Sequence, residues 1–292
     1  MVEASMNNSE KRKKLREYLA SDSCIQPASV FDPISSRIAS DLGFDIGILG
    51  GSVASAVILG APDLNLITST ELAGQVSRIT NASDISLIVD GDNGYGNALN
   101  VMRTVRELEN AGASAITVED TVLPATYGNK QGEYLLSSDE MVKKLEAAIH
   151  GKKDPETIII GRSHAINTTS ISDAMERVRN YQQANVDAIF LTGIKTTDQL
   201  EQITSICQLP LMLGYTPPEL DNETLSEYQV KIVLRGHTAF TQSIAAIHNE
   251  YQSQLGRNGK PNAVSSKPVG EIFSEALNTE EYILWQSRFL QM

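Results

Sequence analysis

Hydrophobic residues fall in eight short runs along this chain: "PASVFD" (27–32), "DIGILGG" (45–51), "SLIVDGD" (86–92), "AITVED" (115–120), "TIIIGRS" (157–163), "AIFLTG" (188–193), "PLMLGY" (210–215) and "VKIVLRG" (230–236). Each is rich in Val, Ile and Leu and lacks polar alternation, as expected of strands buried on both faces of a parallel sheet. The segments between them have helical period. "NALNVMRTVRELENAG" puts Leu99, Met102, Val105 and Leu108 on one stripe, with Gly112 as the stop. "SDEMVKKLEAAIHG" carries Met141, Leu145 and Ile149 and ends at Gly151. "SDAMERVRNYQQANV", "DQLEQITSICQLP" and "TAFTQSIAAIHNEYQSQLG" behave alike. Strand followed by helix, eight times over, predicts an α/β fold of the (β/α)8 type, a TIM barrel. A doubly wound sheet fits less well, because no G-x-G-x-x-G opens a helix after the first strand.

The expected organisation is one barrel domain over the whole of residues 1–292. A first helix spans 8–21, the barrel 25–256, a polar linker 257–270 and an apolar helical tail 271–292. The tail carries Ile272, Phe273, Leu277, Tyr282, Ile283, Trp285 and Phe289. Such a tail either packs on its own barrel or crosses to another subunit.

Composition narrows the class. Apolar residues make up 41% and charged residues 21%, ordinary for a globular enzyme. No apolar run approaches the ~18 residues of a membrane helix, and the N-terminus lacks the sections of a signal peptide. The two cysteines, Cys24 and Cys207, read as reduced thiols in a cytoplasmic protein. A net charge of −12 argues against a nucleic-acid partner. The basic cluster Lys11-Arg12-Lys13-Lys14 reads as the solvated face of the first helix.

In such barrels the chemistry sits at the carboxyl ends of the strands. Those ends read Asp32, Gly50-Gly51-Ser52, Asp90-Gly91-Asp92, Glu119-Asp120, Arg162-Ser163-His164, Thr192, Tyr215 and Arg235-Gly236-His237. Asp90 and Asp92 lie two positions apart on a predicted strand, where alternation points both carboxylates the same way. Like charges that close require a cation, a proton or an arginine between them. With Glu119 they offer oxygen ligands and no His or Cys, a set that favours Mg2+ or Mn2+ over zinc. Mg2+ takes only one or two carboxylates directly, so some of Asp90, Asp92 and Glu119 are expected to act through water. Arg162 supplies a fixed fork for a carboxylate. Gly50 and Gly51 ahead of Ser52 allow backbone N–H groups close to a ligand. His237, opposite the metal side, is placed to donate a hydrogen bond to an anion.

"DGDNGYG" (90–96), "VED" (118–120) and "GGSVASAVILGAPDLNLITSTEL" (50–72) resemble the isocitrate lyase/phosphoenolpyruvate mutase superfamily, from about Pro27 to Leu255. The resemblance implies an Mg2+-dependent barrel acting on 2-oxo acids, and a tetramer, a dimer of dimers, whose C-terminal helix swaps between subunits. The lyases of that group carry a K-[KR]-C-G-H loop after the fourth strand. Here the matching stretch is "PATYGNKQGE", with Tyr127 at the cysteine and Asn129 at the histidine position. Thr192 stands where the lyases have a glutamate, and Gly214 and Thr216-Pro217 where they have Asn and Thr-Glu. "GGSVAS", "GRSHA", "LGYTPPEL" and "LRGHTAF" are most similar to the oxaloacetate decarboxylase branch. That implies Ser52, Gly51 and Arg162 as substrate ligands, His237 and Tyr215 lining the pocket, and Asp90 on the metal. The expected reaction is decarboxylation of oxaloacetate to pyruvate through a metal-stabilised enolpyruvate. The alternatives are a lyase or hydrolase of another diacid, of substituted malate or phosphonopyruvate type, and a non-catalytic barrel that binds oxalate-like anions.

Overall fold

The computed structural model describes residues 6–124, 135–255 and 267–290. Its strands are β1 (Ala28–Ser29), β2 (Ile46–Leu49), β3 (Ser86–Asp90), β4 (Ala115–Glu119), β5 (Ile158–Ser163), β6 (Ala188–Thr192), β7 (Leu211–Gly214) and β8 (Val230–Leu234). All neighbours pair in parallel, in sequence order. Ile25 closes the ring: its N–H donates to the Lys231 carbonyl at 3.0 Å, and its own carbonyl accepts from Val233 at 2.9 Å. The eight apolar runs are thus the eight strands of a (β/α)8 barrel.

Helix α1 (Asn8–Ala20) precedes the barrel. After β1 comes α2 (Pro33–Asp41), and after β2 come α3 (Gly51–Leu59) and α4 (Ser69–Thr80). Helix α5 (Ala98–Asn110) follows β3, α6 (Ser138–Gly151) follows β4, and α7 (Ala165–Thr168) and α8 (Ile171–Gln183) follow β5. Helices α9 (Thr197–Thr204), α10 (Asn222–Glu227) and α11 (Thr238–Gln254) follow β6, β7 and β8. The tail forms α12 (Val269–Ala276) and α13 (Thr279–Phe289). Local chemistry sets the boundaries. Asn97 caps α5 by accepting from Leu99 and Asn100, and Gly112 ends it at φ +101°. The predicted stripe of α5 needs one correction. Val101, Val105 and Leu108 are buried, whereas Leu99 is 73% exposed. Two residues before Val101, Leu99 is turned by about 200° from the buried face.

Two apolar layers hold the fold. One lies between strands and helices; the other fills the barrel with Ile46, Ile48, Ile88, Ala115, Ile158, Ile160, Ala188, Phe190, Met212 and Ile232. Inward positions therefore follow the strand period of two: 86, 88, 90 on β3; 115, 117, 119 on β4; 158, 160, 162 on β5; 188, 190, 192 on β6. Each series is small or apolar at the bottom and middle and polar at the top.

Helix α1 plugs the bottom. Leu15 and Leu19 complete the interior cluster. Its basic cluster is only partly the solvated face expected from the sequence: Lys13 is exposed, but Lys11 and Arg12 are buried. Lys11 donates to the carbonyls of Thr80 (2.9 Å) and Ser83 (2.7 Å). Arg12 donates to the carbonyls of Ala113 and Glu109 and pairs with Asp154 at 2.7 Å. Arg16 pairs with Asp187, and Lys14 with Asp45. The acceptors stand before or at the amino ends of β2, β3, β4, β5 and β6, where backbone oxygens have no ladder partner. Arg12→Ala is expected to lower stability by about 3 kcal/mol, because it strands two buried carbonyls and takes the cation from the half-buried Asp154. Arg103→Ala, whose pair with Glu107 is largely exposed, should cost below about 0.5 kcal/mol. Guanidinium unfolding midpoints of the two variants check the contrast.

Candidate active site

The carboxyl end of β3 delivers Asp90 to the mouth of the barrel. Its Oδ2 accepts from Arg162 Nη1 at 2.8 Å, and its Oδ1 from Thr117 Oγ1 at 3.0 Å. Glu119 ends β4 and is paired in register with Arg162 on β5. Arg162 Nε lies 3.1 Å from Glu119 Oε2, an ion-pair contact whose angle falls outside hydrogen-bond geometry. The guanidinium rests over the Phe190 ring, 4.9 Å from its centroid. Glu119 also accepts from Thr121 Oγ1 at 2.7 Å and meets His164 Nε2 at 3.0 Å. His164 Nδ1 in turn lies 3.1 Å from Thr192 Oγ1. Burial opposes ionisation of Glu119, but Arg162, His164 and Thr121 outweigh it and hold its carboxyl down at about 2.

Asp92 arrives by a different route from the one its spacing suggested. The strand ends at Asp90, and Asp92 (φ 46°), Gly94 (77°), Tyr95 (62°) and Gly96 (144°) form a left-handed turn. That turn folds Asp92 back, so that its N–H donates to Asp90 Oδ1 at 3.3 Å. Its carboxylate accepts from the Tyr95 hydroxyl at 3.3 Å. Burial, reinforced by the charges of Asp90, Glu119 and Asp63, pushes the Asp92 carboxyl well above the usual range. Among the described residues no Lys, Arg or His forms an ion pair with Asp92.

A cavity of about 70 Å³ opens above these groups. Asp90, Arg162, Asp63, Ser52, Tyr215 and His237 line it, with Ile48, Phe190 and Leu234 as apolar walls. His237 therefore faces the same space as the carboxylates. Ser29 Oγ lies 2.7 Å from its Nδ1, and burial holds its pKa below the ordinary value. The two glycines before Ser52 serve close side-chain approach: a Cβ at Gly50 would strike His237 Nε2, and one at Gly51 would strike Asp92 Oδ1. Gly51 N–H points to Asp90 Oδ2 at 3.4 Å.

Other rim residues turn away. Asp120 is fully buried and accepts from Ser163 Oγ, Tyr181 OH and Arg177. Asp32 caps α2, and Arg235 donates to the Leu220 carbonyl and Asn222. Tyr127 and Asn129 lie outside the described residues.

A family model described as phosphoenolpyruvate phosphomutase matches residues 15–255. The chain belongs to that family. An oxaloacetate decarboxylase from Bradyrhizobium diazoefficiens is 44% identical over 93% of this chain and 94% of its own length. One from Pseudomonas fluorescens is 43% identical over 98% of both. A phosphonopyruvate hydrolase solved with oxalate and Mg2+ is 27% identical, with TM-score 0.76 over 98% of this chain and all (100%) of that one.

Within this member of the phosphoenolpyruvate phosphomutase family, Asp63 and His164 are the site residues whose roles sequence reasoning missed. Asp63 sits on an irregular loop after α3 with no strand to point to it. His164 stood only as one of three rim residues after β5. Among the described residues no three Asp, Glu, His or Cys side chains converge tightly enough to enclose an ion by themselves. A cation here would be held by one or two carboxylates and water, the habit of Mg2+. The donor set fits: it is all oxygen, and Asp92 is a buried carboxyl whose ionisation its surroundings oppose and a cation would favour.

Gly51→Ala is expected to displace the Asp92 carboxylate while leaving the barrel intact. A crystal structure of the variant and its melting temperature check both halves. An unmoved Asp92 would contradict this account of the paired glycines.

Proposed function

We infer that this protein is an enzyme, an oxaloacetate decarboxylase that releases pyruvate and CO2. The observation that carries the reading is full-length likeness, at 41% to 47% identity, to relatives of that name. The mouth of the barrel suits the reaction. Oxaloacetate carries a carboxylate β to its ketone, so the C–C bond can break without a nucleophile, leaving CO2 and the enolate of pyruvate. When bound, a divalent cation, Mg2+ or Mn2+, supplies electron withdrawal from the 2-oxo acid. Asp90 would hold it directly, and Asp92 and Glu119 through water, with Asp63 at the edge of the set.

The chain's own residues do the remaining work. Arg162, fixed by Asp90, Glu119 and the Phe190 face, presents a guanidinium to the substrate carboxylate and oxo end. Ser52 and the backbone N–H groups at the start of α3 add hydrogen bonds there, with the Gly51 N–H shared with Asp90 Oδ2. His237, kept neutral by burial and tied to Ser29, lines the opposite wall and orients the anion. Tyr215 stands at the open side, 66% exposed in this chain, where its hydroxyl can pass a proton to the enolate carbon. The walls of Ile48, Phe190 and Leu234 limit water around the developing charge.

The reading extends to assembly and location. The chain is a cytoplasmic homo-oligomer, a dimer of dimers, whose α13 covers a neighbouring copy. Support comes from α13, which has no fully buried residue in its own chain and exposes Ile283, Leu284, Trp285 and Phe289. A groove of about 620 Å³ lined by Phe31, Ile38, Leu42 and Phe44 offers matching apolar surface. No helix among the described residues is long and apolar enough to cross a membrane.

Pyruvate release from oxaloacetate is expected to stop on adding EDTA and return with Mg2+. Asp90→Ala should fall to the rate of the free metal ion. Faster turnover of phosphonopyruvate or a substituted malate in the same assay would replace the substrate, and tight oxalate binding without any turnover would replace the enzyme with a binder. Removing residues 279–292 is expected to reduce the assembly seen by light scattering. An unchanged mass would show that α13 does not bridge subunits.

A further inference from the structure

The turn that carries Asp92 is held from outside, carbonyl by carbonyl. The Asp92 oxygen accepts from Glu119 N–H at 2.9 Å, the Asn93 oxygen from Lys144 Nζ at 2.6 Å, and the Gly94 oxygen from Thr104 Oγ1 at 3.2 Å. The first anchor comes from β4, the second from α6 and the third from α5. Such support is needed: four of the five residues 92–96 have positive φ, and two of these, Asp92 and Tyr95, are not glycine.

Lys144 is the unusual anchor. Its side chain is buried, with 3% of the residue exposed, and among the described residues it forms no ion pair. Burial depresses its ammonium, and the carboxylates of Glu140, Glu119 and Asp120 oppose that depression from a distance. A charge kept in the barrel–helix layer without a paired counter-ion is costly. A neutral donor would satisfy a carbonyl at lower cost. What the ammonium adds is a strong charge-assisted bond to one peptide oxygen and a positive potential behind the carboxylates.

We propose that Lys144 is a positioning residue for the cation site: by pinning the Asn93 carbonyl it keeps the left-handed turn formed and Asp92 aimed at the barrel mouth. The proposal rests on the functional reading above, in which Asp92 faces a divalent cation. Lys144 touches neither substrate nor ion. Its influence passes through the backbone of Asn93 to the adjacent residue, and removing it frees Asp92 to relax from φ 46° toward a commoner conformation.

The test uses the full chain and Mn2+ alone, with binding read from the electron paramagnetic resonance signal of the free ion and no substrate present. Lys144→Met is expected to weaken Mn2+ binding by about ten-fold, the scale seen when groups supporting metal ligands are removed. At saturating Mn2+ its KM for oxaloacetate should stay within about two-fold of wild type. Lys143→Met, one residue away on the exposed face of α6, should bind Mn2+ as wild type does. Unchanged Mn2+ affinity in Lys144→Met, beside a wild type that binds the ion, overturns the role of Lys144 and leaves the decarboxylase reading standing. A KM that rises in step with the lost affinity also overturns it, since that marks collapse of the whole mouth. Should Lys144→Met not fold, Thr104→Val removes the neighbouring anchor without changing charge, and unchanged Mn2+ affinity there overturns the proposal. A wild type that neither binds Mn2+ nor releases pyruvate sinks both readings.

Discussion

One guanidinium set among several carboxylates governs the mouth of this barrel. Arg162 touches Asp90 and Glu119, while Asp92 and Asp63 add further negative charge close by. Two unit charges about 4 Å apart interact by roughly 4 kcal/mol at the effective dielectric of a protein surface. A left-handed non-glycine residue costs roughly 1 to 3 kcal/mol. Repulsion and backbone strain are thus of the same size, and burial among these acids opposes ionisation of Asp92 until a cation relieves it.

How much of this was legible in the sequence depended on whether a signal was periodic or positional. Eight apolar runs are periodic, and all eight are strands. The polar residues at their ends were visible as a group, but the runs lack alternation, so nothing in the composition said which of two adjacent acids points inward. The pairing register decides it. Glu119 shares parity with Ala115 and Thr117 and points inward to Arg162; Asp120 has the opposite parity and ties β4 to Ser163, Arg177 and Tyr181. Arg162 and Ser163 divide in the same way.

Positional signals were misread where a tertiary partner overrode the local pattern. Lys11 and Arg12 look like a solvated basic face because their partners, backbone oxygens at the bottom of the barrel, leave no mark on the sequence. Gly50 and Gly51, read as room for a ligand near the backbone, also give room to His237 and Asp92, which no local pattern showed. Asp90 and Asp92 do converge, but through a turn after the strand and not through its pleat. Asp63 escaped notice because an irregular loop brings it in from α3, and no spacing rule links it to β3.

The two ends of the barrel thus solve opposite problems with the same kinds of side chain. At the amino end, the cations of α1 are spread over carbonyls and acids from several strands, so every buried charge has a partner and the arrangement contributes stability. At the carboxyl end, acids outnumber the cations that face them among the described residues, and the imbalance is retained within walls of Ile48, Phe190 and Leu234. A site optimised for stability would neutralise Asp92 with a second arginine. That would remove the repulsion, and with it the affinity for a cation that enters and acts. An acid buried beside other acids is stability given up locally for chemistry, and the tight plug at the far end is what allows the barrel to tolerate it.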